Sequence, residues 1–131
     1  PEGRGMLSES AIVWQTKNGA AYVPSPILGG DGKYLFIAAD NGLVSCFAAE
    51  DGNRLWKKRL GKHYTASPVE AGGLVYFLAD DGIVKIIRPG EKLEVVAENT
   101  LGETCYASPA LSSGKIFIRS EKNLFCIGRK E

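Results

Sequence analysis

The sequence predicts an all-β chain built from repeated antiparallel meanders of four short strands, and three observations carry that reading. First, "YVPSP" at 22–26, "YTASP" at 64–68 and "YASP" at 106–109 recur, which spaces Tyr22, Tyr64 and Tyr106 at intervals of 42. Ser25, Ser67 and Ser108 follow at 42 and 41, and Trp14 and Trp56 are again 42 apart. Second, the runs between these motifs are rich in Val, Ile, Leu, Phe and Tyr and have strand length. Third, turn signals punctuate the runs, and no long window shows the 3.6-residue apolar period of a helix.

The elements follow in order. Each Ser-Pro leads through a Gly-containing turn into "KYLFIAA" (33–39), "LVYFLA" (74–79) or "KIFIRS" (115–120). The turn signals "DNG" (40–42), "DDG" (80–82) and "EKN" (121–123) come next. They lead into "LVSCFA" (43–48), "IVKII" (83–87) and "LFCIG" (124–128). The first two units continue through Asp51-Gly52 or Pro89-Gly90 into "NRLWKKR" and "KLEVVAE". "AIVWQTK" (11–17) reads as one more copy of that last strand. Asn-Gly and Asp-Gly favour the positive φ angles of a type I′ hairpin, so type I′ turns are expected at Asn41-Gly42 and Asp51-Gly52. Several runs, "YLFIAA" above all, are apolar at consecutive positions and so expect cover on both faces. Neighbouring meanders stacked on either side supply it, and a period near 41–42 with four strands per unit is that of a β-propeller blade.

"KYLFIAADNGLVSCFAAEDGNRLW" resembles the blade of the pyrroloquinoline-quinone-like propeller repeats: strand, Asp/Asn-Gly, strand, a polar turn with Gly, then Trp four residues on, as Gly52 and Trp56 stand. The resemblance covers about residues 11–130. Similar repeats form the quinoprotein dehydrogenases and the periplasmic lipoprotein of the outer-membrane β-barrel assembly machinery. The chain departs from the pattern at Ala48 and Asp51, lacks a Trp at Glu94–Ala97, and has no last strand in the third unit. The resemblance implies that Trp14, Trp56 and Gly52 dock one blade on the next. An aromatic ring in such a site buries about 150–250 Å², and its loss costs about 3–5 kcal/mol when well packed.

Counting outward from the axis, the strands read d, abcd, abcd, abc, or twelve in all. The expected division is a tail at 1–10, an outer strand of a preceding blade at 11–17, blades at 22–60 and 64–101, and an incomplete blade at 106–130. Closed propellers usually have at least four blades. The expected reading is therefore the C-terminal portion of a longer propeller, whose ending "KNLFCIGRKE" resembles that of family members. The alternative is a ring of two copies in which each strand around Trp14 completes the other chain's last blade.

Composition narrows the function. With 16 basic and 15 acidic side chains among 131 residues, the net charge of +1 supplies no field for nucleic acid. No apolar run approaches the roughly 20 residues of a membrane helix. The three cysteines have no short spacing, which argues against a disulfide framework or a Cys-x-x-Cys site. Cys46 and Cys126, each in an apolar run, read as buried small hydrophobes.

Candidate chemistry is sparse. His63, the only histidine, has no ligand partners at metal spacing and reads as an exposed loop residue. Tyr22, Tyr64 and Tyr106 recur in the same loop at equivalent positions, which points to packing. Asp40, Asp80 and Asp81 read as turn residues. Ser25, Ser67 and Ser108 lack a surrounding Gly-x-Ser-x-Gly. "LGGDGKYL" does not match a phosphate loop, and "WKKRLGKH" reads as a lysine-guarded edge strand. No catalytic, metal or cofactor residue is assigned. The expected function is a non-enzymatic scaffold binding a protein or peptide partner through the loop face, with Lys17, Tyr22, His63, Tyr64 and Tyr106 as candidates. Location in the periplasm or bacterial cell envelope is what the resemblance implies. Part of a quinone-dependent dehydrogenase, or a carbohydrate-binding propeller using the tyrosines, are the alternatives.

Overall fold

The computed structural model describes Gly5 and residues 8–129, so most of the 1–10 tail lies outside the described residues. Three separate antiparallel sheets follow one another along the chain. The first is β1 (Ile27–Gly29), β2 (Tyr34–Ala38), β3 (Leu43–Ala48) and β4 (Arg54–Arg59) in that order. The second is β5 (Val69–Ala71), β6 (Leu74–Leu78), β7 (Ile83–Arg88) and β8 (Glu94–Thr100). The third holds only β9 (Ala110–Ser112), β10 (Lys115–Arg119) and β11 (Leu124–Ile127). One short 3-10 turn, Glu9–Ala11, precedes them, and no α-helix occurs among the described residues. Among the described residues no helix is long and apolar enough to cross a membrane.

The strands belong to the sheets that the repeat assigns them to, and the two complete sheets share fine detail. Both carry a bulge at the same place in their outer ladder, at Cys46/Phe47 and at Ile86/Ile87. A bulge sharpens local twist.

The cores lie between the sheets. Cross-strand partners share a face, so Phe36 with Cys46, and Ala38 with Val44, turn toward the second sheet. They meet Val75, Phe77 and Ile87, and the Phe36 and Phe77 rings cross edge to face at 6.3 Å. The opposite face of the second sheet, Leu78 with Val84, packs on Cys105 and Ile118 of the third. The middle strands of the second sheet, β6 and β7, are therefore covered on both sides, which is why β6 shows no polar alternation.

A repeated bond ties the sheets into one rotation. The Ser25 N–H donates to Ser67 Oγ at 2.9 Å, and the Ser67 N–H donates to Ser108 Oγ at 2.9 Å.

Two expectations about turns and strands change. Type I′ geometry needs positive φ at both central residues. Only Asp31 and Ser113 among the described non-glycine residues have it, so Asn41-Gly42 and Asp51-Gly52 are not type I′. The Gly42 N–H donates to Ala39 O at 2.9 Å, the i→i+3 bond of a turn that ends in a left-handed glycine, Gly42 at φ 83. The Gly52 N–H reaches Ala48 O one residue further back. The two-residue loops with positive φ throughout are Gly72-Gly73 and Ser113-Gly114, between the first and second strands of the later sheets.

The second change concerns 11–17. Ala11 ends the 3-10 turn and residues 12–17 form no strand, so the described chain has eleven strands, not twelve. The physical reason is that a strand needs an adjacent edge, and the edge lacking an outer strand, β11, belongs to the third sheet.

Candidate interaction face

The connections between sheets and the turns joining second to third strands meet at one end. The Leu60 and Gly61 N–H groups both donate to Gly42 O, and Leu101 N–H donates to Gly82 O. A Cβ on Gly42 would run into the Gly61 carbonyl, and one on Gly82 into the Glu103 carbonyl. These glycines are fixed by close approach as well as by φ. Tyr64 N–H to Asp40 O (3.1 Å) and Cys105 N–H to Asp80 O (3.0 Å) repeat the crossing one blade later.

Carboxylates lock these crossings. Asp80 accepts the Thr65 N–H at 2.8 Å and the Thr65 hydroxyl at 3.0 Å, and lies 2.7 Å from His63 Nδ1. Asp40 accepts the Val23 N–H at 3.2 Å. Asp81 caps its own turn through the Ile83 N–H and pairs with Lys62 at 3.7 Å. The third blade solves the same problem differently. The Glu103 carboxylate accepts the Ser120 hydroxyl, and accepts Asn123 Nδ2 at 2.7 Å. The Ser120 bond, with Asn123 and the nearby Lys122 charge, holds the Glu103 carboxyl below its ordinary range against a smaller opposing push from burial. Sequence reasoning missed this network. Its signal was a paired change between repeats, Ser120 standing where the other blades have Ala39 and Ala79.

The candidate residues separate. Tyr64 is buried at 1% exposure, packed edge to face on Phe77 at 6.2 Å, and its hydroxyl has no partner. Burial, with a smaller contribution from the Asp81 charge, pushes its pKa upward. Tyr22 and Tyr106 are exposed at 91% and 51%. Tyr106 is not the counterpart of Tyr64. Cys105 donates the equivalent backbone bond and is fully buried, so Tyr106 stands one position later. The serine spacing of 42 then 41, against 42 and 42 for the tyrosines, already contained that one-residue slip. His63 is exposed beside Asp80, and Lys17 is exposed on the N-terminal segment with no ion pair among the described residues.

The docking residues act at the opposite margin. The Trp56 indole N–H donates to Gly90 O of the second sheet at 3.3 Å, and its ring lies 5.9 Å from Phe36. The Trp14 indole N–H donates to Ala49 O at 2.9 Å, and its ring lies where a Cβ on Gly52 would be. Ala49 and Gly90 occupy corresponding turns. Trp14 thus contacts the first blade's turn as Trp56 contacts the second's, although its segment is in no sheet. Cys46 is buried, which pushes its thiol up to about 12. Cys126 is exposed, contrary to the sequence expectation, because the face of β11 that carries it has no neighbouring sheet.

No curated protein matches the chain. The crystal structure of BamB from Moraxella catarrhalis is similar, with a TM-score of 0.59 at 16% identity over 70% of this chain and 28% of that one. The chain thus spans less than a third of that protein's length, and the likeness is one of fold. The family model described as outer membrane protein assembly factor BamB matches residues 7–88. That is more than half of the chain, which therefore belongs to the BamB family of propeller-repeat proteins.

Proposed function

We propose that the chain is a non-enzymatic propeller scaffold in the bacterial cell envelope, whose connection end binds a protein or peptide partner. One observation carries the reading. The exposed Tyr22, His63 and Tyr106 stand on connections whose backbones are bonded to turns beside them. Side chains displayed on pinned loops lose little further entropy on binding, which suits recognition. Tyr64 leaves the candidate set because it is buried. Membership of the BamB family supports the envelope setting and a protein partner.

The placement of both tryptophans at blade turns favours the scaffold over part of a quinone-dependent dehydrogenase. Both indole N–H groups are engaged at blade turns. No three His, Cys, Asp or Glu side chains converge as metal ligands among the described residues.

A photo-crosslinking residue placed at 22, 63 or 106 tests the proposal in envelope preparations, with Glu94 on β8 as the control position. Discrete protein adducts from the three face positions and none from position 94 are expected. Equal labelling from all four, or none, would remove the face from consideration. Calorimetric titration with pyrroloquinoline quinone and Ca²⁺ should give no saturable one-to-one binding. Such binding would move the chain to the dehydrogenase class.

A further inference from the structure

The outer strand of the first blade carries a charge that its surroundings leave unanswered. The serine bonds join the entries to β1, β5 and β9, so the first strands gather together and the fourth strands stand outermost. Among the described residues β4 pairs with β3 alone, and its other side offers unpaired N–H and C=O groups. A fourth strand keeps that outward edge whichever blades stand beside it.

The two outer strands hold this place with opposite electrostatics. β8 carries Glu94 and Glu98 and no cation, and both acids are answered across the ladder, by Arg88 at 3.1 Å and Lys85 at 3.3 Å. β4 carries Arg54, Lys57, Lys58 and Arg59 and no acid, and all four are exposed. Their partners on β3 are Phe47, Ser45, Val44 and Leu43, none of them acidic. None of the four makes an ion pair among the described residues, and Arg59 donates to the Asn41 carbonyl. Phe47, Ser45 and Leu43 alternate along β3, so Arg54, Lys57 and Arg59 share one face of the sheet, Arg54 by virtue of the bulge. A Cβ on Gly19 would lie 3.1 Å from Phe47 and 3.5 Å from Ser45, so the segment before the first sheet passes over that face. It brings Lys17 and no carboxylate between residues 10 and 30.

We infer that the outer edge of β4 takes an extended acidic segment of a partner protein, added as a fifth strand with carboxylates at alternate positions on the face of Arg54, Lys57 and Arg59. Backbone pairing supplies the affinity in such an addition, and the alternate side chains supply the selectivity. The added carboxylates would give β4 the opposite-charge neighbours that β7 already gives β8. The same cations repel a second copy of β4, so the edge resists self-pairing and stays open to an acidic strand. This surface is separate from the connection end, and the inference does not rest on the function proposed there.

The probe is a fluorophore-labelled peptide of about eight residues that alternates Glu with Val and Thr, read by anisotropy. Saturable binding that weakens with added salt is expected. The same peptide with Lys in place of Glu should bind about tenfold or more weaker. So should the acidic peptide with its backbone N–H groups methylated, because it keeps the charges and loses the ladder. Arg54→Glu/Lys57→Glu should invert the preference, losing the acidic peptide and gaining the Lys peptide, a gain that an unfolded chain would not give. Lys33→Glu/Lys92→Glu makes the same change of net charge at exposed positions outside β4 and should leave binding within about twofold. Absence of binding overturns the inference, as does equal affinity for the methylated peptide or a preference that survives Arg54→Glu/Lys57→Glu. Displacement by inorganic polyphosphate as readily as by unlabelled peptide at matched charge also overturns it, in favour of a general polyanion surface.

Discussion

Trp56→Ala tests whether the blades hold each other. The indole sits at the margin of the first inter-sheet core, partly exposed, 5.9 Å from Phe36, with its N–H on Gly90 O at 3.3 Å. A fully buried Trp lost to Ala costs about 3–5 kcal/mol. Partial exposure removes part of that, and the acceptor at Gly90 can rebind water, which limits the hydrogen-bond loss to about 1 kcal/mol. The expected cost is therefore about 2–3 kcal/mol, below the value the sequence suggests for a well-packed site. Urea unfolding followed by circular dichroism at 25 °C reads it as a lower midpoint with an unchanged slope. Trp56→Phe keeps ring packing and loses the bond, so it should recover roughly half of the loss. A Trp56→Ala cost under about 1 kcal/mol would refute the reasoning, because the ring would then hold nothing between the sheets. Trp14→Ala should cost less than Trp56→Ala, since its segment has no ladder to anchor.

Gly42→Ala combines a positive φ with a collision at the Gly61 carbonyl, and should cost more than about 3 kcal/mol or prevent folding, whereas Gly32→Ala, at positive φ in open space, should cost about 1–2 kcal/mol in the same urea assay. Tyr64→Phe removes a buried hydroxyl with no partner and should be neutral or stabilising by about 1 kcal/mol; a clear loss would reveal a bound water or another partner. Glu103 is held below its ordinary pKa in the folded chain, so its ionised form contributes stability above the unfolded-state value and loses it as pH falls through the folded one. Denaturation midpoints measured from neutral pH into the acid range should fall less steeply for Glu103→Gln than for the unchanged chain, and parallel curves would remove that role.

The repeat and the strands were legible because burial leaves its mark directly in composition, most fully in β6, which has a sheet on each face. Turn geometry was less so. Asn-Gly is compatible with more than one hairpin loop, and the connection that crowds Gly42 from behind is eighteen or more residues away in sequence. The site was legible only in part. Tyr22 and Tyr64 share a motif and differ completely in exposure, because Tyr64 has a preceding sheet to enter and Tyr22 does not. No local pattern encodes that difference; it depends on which neighbour stands beside the blade. Cys126 shows the same rule in reverse, since the place that buries Cys46 against the second sheet leaves Cys126 open.

Neighbour dependence also bears on the proposed interaction face. In a row of repeats, stability is approximately a sum of unit terms and interface terms, and the interface terms dominate when single units have little core. Here the buried apolar side chains, Phe47 apart, fall into two inter-sheet clusters. The connections that display Tyr22, His63 and Tyr106 are pinned across those same junctions, by Asp40, by Asp80 and by the serine row. Loosening a junction at Trp56 should therefore loosen the loops at the far end of the blade, and partner binding should tighten the junctions in return. A ligand that binds the folded face alone raises the apparent stability by an amount set by its concentration relative to Kd. If the face and the junctions are one mechanical unit, crosslinking from position 63 should fall in Trp56→Ala under conditions where circular dichroism still reports a folded chain.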